Sequence, residues 1–210
     1  MGISTAPPRR KPSLSLRLAV WIVLLIWLAY TALYTLRPSD VLAAVLEFLP
    51  GVLAVATLVA AGLSLQACHL RTAPISRTGL VLLAASSLVA PVMWLTGRWT
   101  GWNAAAALIY APASGASQEL FFRAALLPAL LAAFEGRPFR ATVVHALLFA
   151  LWHVPTAYTS APVGGLIAVT VVTFACGLLW GEQVRRDGTV FWLMGLHTLL
   201  LIGNSFFTWE

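Results

Sequence analysis

From Leu18 to Phe207 the chain passes through successive apolar stretches about as long as a bilayer is thick, and nearly every Lys and Arg stands in the breaks between them. A hydrocarbon core of about 30 Å is crossed by about 20 apolar residues in helical form. Backbone polar groups have no water to bond there, so helices that satisfy their own backbone are the expected element. Of the 210 residues, 60% are hydrophobic and 10% charged, whereas roughly a quarter of a soluble domain carries charge. An ordinary water-soluble globule is excluded. The expected fold is all-α, a polytopic transmembrane helical bundle of about seven spans.

The net charge of +6 does not point to nucleic acid, because that reading needs basic residues gathered on one face of a soluble fold. Here Lys and Arg flank apolar segments, where they hold loops on the cytoplasmic side. If the breaks are numbered in order, positions 9, 10, 11, 17, 71, 77, 137, 140, 185 and 186 fall on one side and only 37 and 98 on the other. This predicts a cytoplasmic N-terminus and an external C-terminus, in what is expected to be a bacterial cytoplasmic membrane. Cys68 and Cys176 are far apart, with no C-x-x-C or Cys/His ligand spacing, and read as free thiols. The basic N-terminus resembles a signal peptide, but the run from Leu18 to Leu36 is long for an h-region and reads as an uncleaved first span.

Residues 1–14, with Pro7, Pro8 and Pro12, are expected to be a disordered cytoplasmic tail. N-terminal transmembrane helices occupy 15–103 and core helices 104–210. The spans are predicted at about 15–36, 41–65, 79–96, 104–134, 139–157, 162–184 and 190–207. A kink is expected at Pro50-Gly51 in the second span, and Pro112 and Gly115 are expected to break the first turns of the fourth. Pro155 is expected to end the fifth. The segment with Arg98, Trp99 and Trp102 reads as a turn at the headgroup level, where indoles concentrate. Glu47 is expected to snorkel or to pair with Arg37.

Ionisable groups inside a membrane are costly, so those present are functional candidates. Glu119 and Arg123 are four residues apart on one face of the fourth span. Phe149 and His153 are four apart on the fifth, with His145 two turns back. His197 lies on the seventh, with Asn204 seven residues on and nearly on the same face. Each has a plain structural reading: an ion pair that holds helices together, or a packed histidine. Three of the last four spans nevertheless bring a titratable group to middle depth. A carboxylate and two imidazoles around one water-accessible cavity can activate water and stabilise an oxyanion. Glu119, His153 and His197 are also a possible His2Glu zinc set, although no H-E-x-x-H signature is present. Inverted repeats, which would indicate a transporter, are not seen.

These residues resemble the CPBP family of intramembrane proteases, which includes the Rce1-type CAAX prenyl endopeptidases. Gln118-Glu119-Leu120-Phe121-Phe122-Arg123 is similar to the E-E-x-x-x-R motif, and Phe149 with His153 to F-x-x-x-H. The stretch from Gly177 and Gly181 through Arg185, Arg186 and Gly188 to His197 resembles the Gly-rich helix, basic turn and final histidine. The resemblance covers about 115–204 and implies a CPBP-like core in 104–210 that hydrolyses a peptide bond of a membrane-associated peptide or protein, without a cofactor. Such substrates are a CAAX-like C-terminus, a bacteriocin leader or a C-terminal sorting tail. It implies catalytic roles for Glu119, His153 and His197, supported by Gln118, Arg123, Phe149 and Asn204. Two positions depart from the pattern: Gln118 stands where the family has its first glutamate, and Leu201 where H-x-x-x-N has asparagine. The alternative implied by these departures is a catalytically impaired scaffold or regulator.

Overall fold

The computed structural model describes residues 14–36, 46–96, 98–160 and 163–208. Ser15 starts α1 (Leu16–Leu36), its hydroxyl accepting from the Leu18 amide at 3.3 Å. α2 (Phe48–Ala60) runs to Gly62, whose φ of 96° is open to glycine and strained for other residues. Ser76 caps α3 (Arg77–Ser87) by accepting from the Gly79 amide at 2.9 Å, and α4 (Val89–Thr96) follows. Next come α5 (Ala111–Phe121) and α6 (Leu127–Ala133), then α7 (Pro138–Ser160), α8 (Val163–Asp187) and α9 (Phe191–Asn204). The described chain is all-helical apart from one two-residue pairing: β1 (Arg98–Trp99) lies antiparallel to β2 (Phe207–Thr208).

Two helices are long and apolar enough to cross a membrane, over Leu16–Leu33 and Gly165–Asp187, while α2 and α9 are apolar but shorter. On α1 the buried face holds Ala19, Val23 and Tyr30, and the opposite face exposes Trp21 and Leu25 by 66% and 63%. Both faces are apolar. Water would penalise the outer one by roughly 25 cal/mol per Å², whereas lipid does not.

Several expected boundaries are corrected. Pro50 lies in the first turn of α2 rather than in mid-helix, and residues 37–45, the expected start of that span, are outside the described residues. The third span is two helices, divided at Leu88. Pro155 lies within α7, which continues to Ser160. Pro112 and Gly115 do not break the fourth span. A π-helical turn, Ala106–Tyr110, leads into α5, and a second, Phe122–Leu126, joins α5 to α6. Each turn stands just before a proline, Pro112 or Pro128. Proline has no N–H for the i−4 carbonyl; here Ala111 and Leu127 bond instead to the carbonyls five residues back, Ala106 and Phe122. The helix widens and continues.

Small residues set the close approaches. A Cβ at Gly177 would lie 2.9 Å from Ala146 Cα, and one at Gly181 would lie 3.2 Å from His145 Nδ1. These contacts fix α7 and α8 as an antiparallel pair, as expected of small residues four apart. At Gly115 a Cβ would lie 2.9 Å from the Thr198 amide nitrogen, so α5 and α9 also touch backbone to backbone.

The two ends differ. At one, the loop after α2 is tied to the turn between α8 and α9: the Val190 amide donates to His69 O at 3.1 Å, Arg71 Nε to Gly188 O at 3.2 Å and Trp192 Nε1 to Ala73 O at 2.8 Å. This end gathers Arg71, Arg77, Arg137, Arg140, Arg185 and Arg186. The other end holds β1 with β2, and Trp99 stacks on Phe206 with ring centroids 5.2 Å apart.

Within the loop, Cys68 and His69 are buried, and both cysteines of the chain are free thiols. Burial pushes the Cys68 thiol up to about 11. Burial first, and then the Arg71 charge, push the His69 imidazole down to about 4 from 6.5. His69 also has a left-handed φ of 57°. Because the folded state holds His69 neutral, the unfolded chain binds the extra proton between these two values. Stability is therefore full above pH 6.5 and lost as pH falls toward 4, by about 3 kcal/mol. Thermal midpoints in detergent across pH 7 to 4 should fall in the wild type and fall less in His69→Leu; parallel curves would refute the assignment.

Candidate active site

The face of α5 that meets α9 carries Glu119, and the second π-helical turn carries Arg123. Both are wholly enclosed, and Arg123 Nη1 donates to Glu119 Oε1 at 3.0 Å. The same oxygen receives His197 Nδ1 at 2.6 Å. The sequence reading sets His153 and His197 across a water-accessible cavity lined by Glu119; in the structure Glu119 and His197 are in direct contact. Gly115 explains this, since its missing side chain lets α9 approach at Thr198 one turn from Glu119.

Aromatic rings wall the unit. The Arg123 guanidinium lies 4.0 Å from the Phe149 ring centroid and 5.1 Å from that of Trp180, a cation–π setting that supports a charge out of water. Trp180 also lies against His197, with centroids 4.8 Å apart. Trp180 was not among the sequence candidates, because an indole in an apolar helix looks like core; its position one residue before Gly181 is the only available signal.

His153 stands beside this unit on α7, its ring 4.7 Å from that of Phe149. Its Nδ1 lies 2.8 Å from the Phe149 carbonyl oxygen, which requires the proton on Nδ1 and leaves the Nε2 lone pair free. His197 has the same tautomer through Glu119. The carboxylate and guanidinium are sealed, whereas the His197 side chain keeps 7% of its surface and His153 is half-buried.

Gln118 turns away from Glu119. Its Nε2 donates to Ser114 Oγ at 2.9 Å, and its buried Oε1 has no protein partner. Glu47, expected to snorkel or to pair with Arg37, is buried and accepts from Ser117 Oγ at 3.2 Å; Arg37 lies outside the described residues. Asn204 ends α9, seven residues and about 10 Å along the axis beyond His197. His145 is wholly buried against Gly181.

Among the described residues no group of three or more His, Cys, Asp or Glu side chains is placed to hold a metal ion. The Glu119 oxygen that faces His197 already carries the Arg123 cation, so the donor set fits a second cation poorly.

The described chain is all-helical, with a carboxylate, a guanidinium and an imidazole bonded together inside its bundle and a second imidazole beside them. Residues 99–202 match the family model described as type II CAAX prenyl endopeptidase Rce1-like, a membrane-embedded family, and the match is consistent with a CPBP family protease. No curated protein and no solved structure matches the chain. The matched span contains Gln118, Glu119, Arg123, Phe149, His153 and His197, and stops two residues short of Asn204.

Proposed function

We propose that this chain is an intramembrane endopeptidase that hydrolyses a peptide bond of a membrane-associated substrate without a metal, using His197, His153 and Glu119. The observation that carries the reading is the Arg123–Glu119–His197 unit: a sealed carboxylate fixes the proton of one imidazole on Nδ1 and leaves the Nε2 lone pair to act as a base. His197 Nε2 takes a proton from water as the water oxygen bonds to the scissile carbonyl carbon, while His153 Nε2 accepts a hydrogen bond from the O–H that stays on that oxygen. When the C–N bond breaks, the proton on His197 passes to the departing nitrogen. Glu119 stabilises the imidazolium that exists between these steps, and Arg123 and Phe149 hold Glu119 and His153 in place.

The family description supports a prenylated CAAX-like C-terminus as substrate, with a bacteriocin leader and a C-terminal sorting tail as further candidates. Purified protein in proteoliposomes, offered one peptide of each class, should release product from one, and Glu119→Gln should abolish release while leaving binding intact. A wild type that cleaves none of them would defeat the proposal.

A second reading, a membrane scaffold or regulator, is favoured by one observation: Gln118 is an amide engaged by Ser114 where the family has a carboxylate. That reading expects substrate binding without cleavage.

The same proposal includes seven passages through a bacterial cytoplasmic membrane, with the N-terminus and the arginine-rich end in the cytoplasm. The gathering of six arginines at one end, opposite Arg98, supports it. A reporter fused after Glu210 should be active only as a periplasmic fusion; activity as a cytoplasmic fusion would overturn the orientation.

A further inference from the structure

Hydrolysis consumes one water per turnover, yet Glu119 and Arg123 are wholly enclosed. The face of α8 that reaches them carries Asp187, Gln183, Trp180 and Cys176 at helical spacing, about 16 Å from first to last at 1.5 Å per residue. Asp187, at the arginine-rich end, accepts from Gln183 Nε2 at 2.9 Å. Gln183 is wholly buried, and its Oε1 has no protein partner. At the level of Gly181, α7 presents His145, also wholly buried, with no side-chain hydrogen-bond partner and the Phe122 backbone within reach. Further in stand Trp180 Nε1, Arg123 Nε and Nη2, and Glu119 Oε2, all buried and without a protein partner.

An unsatisfied buried polar group costs about 1–3 kcal/mol, and native proteins carry few of them. Internal water is their usual partner, making two to four bonds to such groups. These groups succeed one another from the arginine-rich end to the carboxylate. Two residues past Asp187 begins a surface recess of about 200 Å³ lined by Thr72, Ala73, Thr189, Phe191 and Trp192. We propose that Gln183 and His145 conduct water from this recess to the Glu119 centre, an inference that rests on the hydrolytic reading of that centre.

Hydroxyl-radical labelling by radiolysis of water, on the intact protein in detergent, reads hydration at buried side chains directly. After correction for intrinsic reactivity and for residual exposure (4% and 8% against 0%), Trp180 and Cys176 should label about tenfold faster than the fully buried Phe121. Gln183→Leu and His145→Phe should each bring Trp180 down toward the Phe121 rate, and His145→Gln, which keeps polar atoms there, should restore it. Trp180 and Cys176 labelling no faster than Phe121 in the wild type, or unchanged in both apolar variants, overturns the path whatever the cleavage assay shows. Labelling as expected in a protein that cleaves nothing leaves the path standing and removes the hydrolytic reading.

Discussion

Arg123→Ala is expected to lower the stability of the detergent-solubilised protein by about 3–5 kcal/mol, the cost of removing one partner of a buried ion pair. The partner left behind, Glu119, has no exposed surface, and its contact with His197 alone would have to hold the charge. A charged side chain at mid-membrane costs at least about 2.5–3.5 kcal/mol on insertion scales. The variant also loses the guanidinium between the Phe149 and Trp180 rings, leaving a space that the surrounding helices fill only in part. Arg123→Lys should fall between, since it keeps the charge but not the flat stack. The combined Arg123→Ala, Glu119→Gln change should be milder than Arg123→Ala alone, because no isolated charge remains. Thermal unfolding of all four proteins tests this. An Arg123→Ala variant with the wild-type midpoint would show that the pair does not support the fold.

This pair shows what the sequence discloses. Four-residue spacing on one helix is a local property, so the Glu119–Arg123 contact is legible from positions alone. The meeting of Glu119 with His197 is legible only as equal depth: apolar run lengths say how far into the bilayer a residue lies, not which way its helix faces. Their direct contact depends on Gly115 beside Thr198, a fact about two helices together. Tertiary context also decided the course of the chain. Pro112 reads as a break because proline removes a helical bond, whereas the π-helical turns before Pro112 and Pro128 absorb the loss. The pairing of Arg98–Trp99 with Phe207–Thr208 joins segments more than a hundred residues apart, and no local signal announces it. Trp180 is invisible for the same reason: apolar in type, it acquires a role only from what surrounds it.

His197→Ala is expected to lower kcat by about 10²–10⁴-fold, the usual contribution of a positioned general base, with KM little changed because the imidazole is engaged mainly in the transition state. His153→Ala should cost less, since His153 orients the water but does not take its proton. Gln118 decides between the enzyme and the scaffold. Its amide cannot accept a proton from water, and its Nε2 is committed to Ser114 Oγ at 2.9 Å. If catalysis runs through His197 and Glu119, Gln118→Glu adds a second carboxylate one residue from Glu119, where two like charges repel, and the rate should change by less than the loss in His197→Ala. If the chain is instead an inactivated relative, the wild type binds substrate without cleaving it, and Gln118→Glu is the substitution that creates turnover. Single-turnover cleavage of a substrate whose binding has first been verified separates the two, provided each variant keeps the wild-type thermal midpoint. A wild type that holds such a substrate uncleaved, with product appearing only in Gln118→Glu, would replace the hydrolase by the scaffold.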